Sequence, residues 1–157
     1  MTDPKEEPDA MTGWPTLDPA GQKEVLDQLT LMLLDALPED WQRVQIEYRV
    51  VGRHSDGRVG VVRADGVMRD WDPPLETWHR FQDLRRGMYA EGEGTWFGAQ
   101  YKLDRPDTFN IKFNWDARPD FSSWPAPDQF ELEQSRFPRV ESHQPDWYRD
   151  GLAQASS

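Results

Sequence analysis

Asp116 and Asp120 stand four residues apart, with Arg118 and Pro119 between them and Trp115, Phe121 and Trp124 close by. Two carboxylates at that spacing could hold a divalent cation or act as a paired acid and base. A calcium loop, however, takes oxygen ligands at regular two-residue steps, and a guanidinium occupies the intervening step here. The expectation is that Arg118 bridges the two carboxylates. Aromatic rings interleaved with charge in a loop are also the composition of a protein-binding surface. The same rings could instead close the end of a core, as Trp and Phe following a core strand often do.

Other arrangements with chemical potential are weaker. Glu76 and His79 lie i, i+3 on a predicted helix, a spacing used by carboxylate-bridged metal sites, but such sites need a second helix with the same motif. His54, His79 and His143 form no HxH or HxxxH pair. Asp70-Trp71-Asp72 offers two carboxylates to a cation, and more simply a cap for the helix that follows Pro73-Pro74. No GxSxG elbow is present to activate a serine. "EGEGTWFG" follows a helix and precedes a strand, the reverse of the order that cradles phosphate on a helix N-terminus. Cysteine is absent, which excludes disulfides and thiolate metal sites. These residues predict a protein that is not an enzyme and uses no metal or cofactor.

The elements that position the loop are legible as period. Asp18 and Pro19 begin a helix, in which Val25, Leu26, Leu29, Met32, Leu33 and Leu37 recur at helical spacing until Pro38 stops it. Val44, Ile46, Tyr48 and Val50 alternate with polar residues, the pattern of a half-buried strand. "HSDG" and Asp65-Gly66 predict two tight turns and hence an antiparallel meander. A second helix over "LETWHRFQDLRRGMY" presents Trp78, Phe81, Leu84 and Met88 as one stripe, with Gly92 and Gly94 ending it. Phe97, Ala99, Tyr101 and Leu103 alternate, as do Phe109, Ile111, Phe113 and Trp115, and "DRPD" joins the two runs as a hairpin. A short helix near Asp128 docks through Phe130 and Leu132. The fold expected is α+β: an antiparallel sheet of about five strands, meander plus hairpin, with helices packed on one face. Residues 1–15 read as a flexible acidic leader, 16–139 as a single domain, and 140–157 as a mostly irregular tail anchored by Trp147.

Charge narrows the class of partner. The chain of 157 residues has a net charge of −11. Residues 1–42 hold ten acids against two lysines, residues 43–114 eleven acids against twelve bases, and residues 115–157 eight acids against four arginines. Direct nucleic-acid binding needs a basic track, and none is visible. Acidic ends would steer the chain towards a basic partner, or simply keep it dissolved. The first residues lack a basic and an apolar region, so no signal peptide is expected. No apolar run reaches the ~18 residues of a membrane span. The expectation is a soluble, cytoplasmic protein.

"LPEDWQRVQIEYRVVG", the helix ending "LRRGMY", "GEGTWFGAQYKLDRPDTFNIKFNWDARPDF", "RFPR" and "PDW" together resemble the YezG-like antitoxin family, immunity proteins of bacterial polymorphic toxin systems. The resemblance spans residues 30 to about 148. Trp41, Trp78, Trp96, Trp115-Asp116, Pro119, Phe121, Phe137-Pro138-Arg139 and Pro145-Asp146-Trp147 carry it, and no catalytic residue comes with them. It implies a cytoplasmic protein that blocks a cognate toxin domain, of nuclease or NAD-hydrolysing type. Contact residues expected on charge and aromaticity are Trp71 and Asp72 after the meander, and Asp116, Asp120 and Trp124 in the loop. A small-molecule-binding or regulatory domain without a toxin is the alternative, with its site between sheet and helix near Tyr48, Gln100 or His79.

Overall fold

Asp18 caps the first helix as its position predicts: its carboxylate accepts the Gly21 N–H at 2.7 Å, with Pro19 at the first helical position. A computed structural model describes residues 15–157, so nearly all of the expected leader lies outside the described residues. The elements run α1 (Pro19–Ala36), β1 (Arg43–Val51), β2 (His54–Val62), β3 (Met68–Asp70), α2 (Glu76–Gly87), β4 (Gly98–Asp104), β5 (Thr108–Asn114), α3 (Pro127–Arg136) and α4 (Asp146–Ala155). The strands form one antiparallel sheet in the order β3-β2-β1-β4-β5. This is the α+β architecture expected. Among the described residues no helix is long and apolar enough to cross a membrane.

Strand alternation sets the two faces. Val44, Ile46, Tyr48 and Val50 of β1 share a buried face with Val59 and Val61 of β2 and Ala99, Tyr101 and Leu103 of β4. Leu26, Leu29 and Leu33 of α1 and Phe81 and Leu84 of α2 pack on it. Thr30 of α1 also meets the Tyr101 hydroxyl at 2.5 Å, and burial pushes that phenol up to about 12. Among the described residues, no helix covers the opposite face.

A second, smaller core stands at the end of the sheet where β1 enters its turn. Val51 and Phe97 meet Phe130 of α3 and Tyr148 of α4 there, all four buried. Here the structure corrects the expected irregular tail and the domain limit at 139. Residues 146–155 are helical, and the packed unit extends through α4. Counting apolar residues missed how this segment docks. Trp147 and Tyr148 present two large rings, the Tyr148 hydroxyl donates to Gln134 at 2.9 Å, and Gly151 lets α4 approach so closely that an added Cβ would lie 2.5 Å from the Phe130 ring.

Three smaller expectations also change. The first hairpin turns at Gly52-Arg53, where Gly52 takes φ 62°. Asp56-Gly57 lies inside β2, because registry with β1 continues to the Val51–His54 pair. The helix α2 closes at Gly87, before Gly92 and Gly94. Its first turn takes no side-chain cap, so Asp70 and Asp72 do not serve as one.

The two cores are joined by charge. Glu133 of α3, with no exposed surface, accepts from Arg85 of α2 at 2.5 Å and from the Gly52 N–H at 2.8 Å. Arg85 also donates to the Trp96 carbonyl at 2.9 Å. Removing one member of such a pair leaves a buried charge without its counterion, which costs about 3–5 kcal/mol. Glu133→Ala is therefore expected to lower the urea unfolding free energy by that amount. A loss below about 1 kcal/mol would show that the pair does not hold α3 to the sheet.

Candidate partner-binding surface

Register places polar side chains from all five strands on the uncovered face. Asp56, Arg58, Arg43, Glu47, Arg49, Lys102, Asp104, Lys112 and Asp70 share it with Gln45, Gln100 and Asn110. Five cations face four carboxylates, so this face is close to neutral although the chain is strongly acidic. Within it, Arg49 pairs with Glu47 at 2.6 Å, and Arg43 with Asp104 at 2.6 Å.

The loop from Trp115 to Trp124 crosses the end of this face from β5, at one edge, to β2. Asn114 starts it by wrapping the turn: its side chain accepts the Ala117 N–H and donates to the Ala117 carbonyl, both at 2.8 Å. This is an Asx-type turn, in which the Asn side chain stands in for a backbone turn. Arg139 fixes the next carbonyl, donating to Trp115 at 2.9 Å and to Thr95 at 2.8 Å while stacked 4.3 Å over Phe97. Burial lowers the pKa of that guanidinium from its usual value. Trp147 of α4 donates its indole N–H to the Asp116 carbonyl at 2.9 Å.

At the far side the loop is tied to β2. Asp56 accepts from the backbone N–H of Ser122 at 2.7 Å and from its hydroxyl at 2.8 Å. His54 meets the Ser123 carbonyl at 2.7 Å and lies edge-on to Phe121. The expected bridge from Arg118 to Asp116 and Asp120 is not what forms. Arg118 lies over Trp124, 3.9 Å from its ring centre, where the cation gains from the ring quadrupole. Phe121, Phe130 and Trp147 surround the same indole at 5.9, 6.0 and 6.1 Å. Trp124 is still 39% exposed. It is thus a fixed, projecting ring.

The five expected contact residues divide between two places. Asp116, Asp120 and Trp124 share the loop, and all are exposed. Asp120 and Arg118 border a polar groove of about 440 Å³ on the uncovered face, with Glu47, Gln100 and Lys112 across it. Trp71 and Asp72 follow β3 at the opposite edge of the sheet, where Trp71 is half-buried against the main core and Asp72 is exposed. Sequence reasoning missed Asn114 and Asp56 as residues that shape the loop, and gave Arg118 the wrong partner. The "N-W-D-A" stretch was the available signal for the first, since Asn favours such turns. Asp56 pairs across 66 positions, which no local pattern reveals.

Among the described residues no group of three or more His, Asp or Glu side chains is placed to hold a metal ion. Glu76 and His79 are exposed neighbours on α2, 3.5 Å apart. Gln100 lies on the uncovered face and His79 on the outside of α2, so neither joins Tyr48 on the helix-covered side. No protein-family model matches the chain, and no curated protein matches it at a significant level.

Hydrogen bonds from Ser122, with Arg49 and His54 nearby, hold the Asp56 carboxyl below its usual 3.8. A depressed carboxylate stabilises the fold above its unfolded pKa, and the contribution disappears as pH falls through the folded value. Wild type should exceed Asp56→Asn in stability by a constant margin above pH about 4, and the margin should close below it. Exchange of the Ser122 amide, followed by NMR, should accelerate over the same acid range. A margin that does not change with pH would show that Asp56 does not anchor the loop through its charge.

Proposed function

We propose that this protein is an immunity protein: it binds the toxic C-terminal domain of a cognate secreted bacterial effector and neutralises it by stoichiometric occlusion of the active site. The observation that carries the reading is Trp124, exposed yet immobilised by four aromatic and cationic neighbours, with Asp116 and Asp120 projecting from the same loop. A ring held in its binding rotamer has little conformational entropy left to lose on association, so more of its contact energy becomes affinity. Trp115, Asp116, Pro119 and Phe121 of this loop are also among the positions that carry the resemblance to YezG-like antitoxins.

Charge supports the choice of partner. The helices that hold Trp124 expose Asp128, Glu131, Asp146 and Asp150 against one exposed cation, Arg149, which pairs with Asp146. A nuclease groove is basic because it receives phosphates, and an acidic rim around an aromatic anchor would mimic that substrate. A toxin that hydrolyses NAD would instead receive the loop as a wedge. Either way the complex should bury a standard interface of about 1,600 Å², and the protein would act in the cytoplasm that the toxin threatens, contacting neither nucleic acid nor membrane. A second reading, a small-molecule-binding or regulatory domain without a toxin, is favoured by a cavity that includes Tyr48 between the sheet and α2.

Co-expression with the C-terminal domain of the effector encoded beside this gene should restore growth and yield a co-purifying complex. Cells dying equally fast with and without the protein, with no complex formed, would sink the reading. Within a complex, Asp116→Ala, Asp120→Ala and Trp124→Ala should each weaken binding by about 1–3 kcal/mol, with circular dichroism unchanged. Three variants that bind as tightly as wild type would move the interface elsewhere, with Trp71 and Asp72 the next positions to change.

A further inference from the structure

Four arginines converge on one cavity on the helix-covered side of the sheet. Arg53 comes from the β1–β2 turn, Arg85 and Arg86 from the end of α2, and Arg136 from the end of α3; the cavity has a volume of about 380 Å³. Tyr48, 3% exposed, and Arg85, 4% exposed, belong to its buried part, while Gln82 and Ser55 add neutral donors. These residues are up to 88 positions apart in sequence, from Tyr48 to Arg136, and the fold alone brings them together.

The local charge does not cancel. Glu133 is committed to Arg85 and the Gly52 N–H. Asp83 stands 3.8 Å from Arg86 and is shared at the same distance with Arg80. The C-terminal ends of α2 and α3 contribute roughly half a negative charge each. Among the described residues, Arg53, Arg85 and Arg136 alone outweigh Glu133 and the two helix ends, so the cavity is positive in a chain whose net charge is −11. Among the described residues, the Arg53 and Arg136 side chains form no ion pair. Burial and the neighbouring Arg53 and Arg86 lower the pKa of Arg136, as expected for cations crowded without enough counter-charge.

We infer that this cavity is a binding site for a small phosphate-bearing anion with more than one negative charge. Guanidinium groups pair with phosphate oxygens in a bidentate manner. The buried Arg85 is oriented in advance by the Trp96 carbonyl and Glu133. Its size lies in the lower part of the ~300–1,000 Å³ range of small-molecule sites. The site is independent of the partner-binding loop, since it lies across the sheet from the uncovered face.

The test is calorimetric titration of the full chain with inorganic pyrophosphate at fixed ionic strength, alongside citrate and sodium chloride. Saturable binding of pyrophosphate is expected, weakened by about tenfold or more in the Arg53→Gln/Arg136→Gln double variant. Both positions are on the rim, so the variant should keep the wild-type circular dichroism and melting profile. A single Lys102→Gln variant on the opposite face should bind like wild type. Absence of pyrophosphate binding, equal binding by the double variant, or citrate binding as tight as pyrophosphate would overturn the assignment. Failure of the toxin experiment would leave this result untouched, and the reverse holds too.

Discussion

Glu133 is a carboxylate with no exposed surface, in contact with groups from two other parts of the chain. One oxygen receives the amide of Gly52 in the first hairpin turn, and the other receives Arg85 of α2, which in turn reaches the carbonyl of Trp96 before β4. Two buried charges usually gain little over a well-packed apolar pair. Here, however, the pair also satisfies a turn amide and a strand-entry carbonyl. An apolar replacement would leave both backbone groups buried without partners, each at a cost of about 1–3 kcal/mol. The pair therefore fixes geometry more than it adds stability: it sets where α3 stands relative to β1.

That placement propagates to the loop. With α3 fixed, Phe130 presents its ring to Trp124 on one side and to Tyr148 on the other, and α4 can dock through Gly151. Trp147 then reaches the Asp116 carbonyl, while Arg139, just past α3, reaches that of Trp115. The exposed loop is thus held from beneath by the second core and from the side by Asp56 of the sheet. Its rigidity is a property of both cores together, which is why it would respond to changes buried well below the surface.

Much of the fold was legible in the sequence, and for a definite reason. Val44 to Val50, Phe97 to Leu103 and Phe109 to Trp115 alternate cleanly because one face of each strand is buried and the other is not; α1 carries both its cap and its leucine stripe. The omissions share a different cause. Arg85, Glu133 and Arg139 are charged, and a charged residue in a periodic pattern reads as solvent-facing, yet all three are buried. The α4 segment has few apolar residues, and its order comes from two rings and a glycine that only a neighbouring helix makes meaningful. In the candidate site, Asp116, Asp120 and Trp124 were visible by type and spacing. The partners that orient them were not: Asp56 and Trp147 lie distant in sequence, and Phe130 reads only as part of the apolar face of its own helix.

The same ionic link accounts for the distribution of charge across the molecule. Acids crowd the exposed surfaces of α3 and α4, whereas arginines gather where α2, α3 and the first turn meet. Folding without Glu133 would leave Arg85 buried without its counterion beside Arg53 and Arg136, and their repulsion would weaken the hold of α3 on α2. With Glu133 present, one arginine is neutralised and drawn inward, while Arg53 and Arg136 line the cavity without an ion pair among the described residues. A single buried carboxylate can hold that arrangement together but cannot balance it. The residual positive charge is what would give an anion there a reason to bind, while the acidic loop beyond the second core keeps the opposite preference.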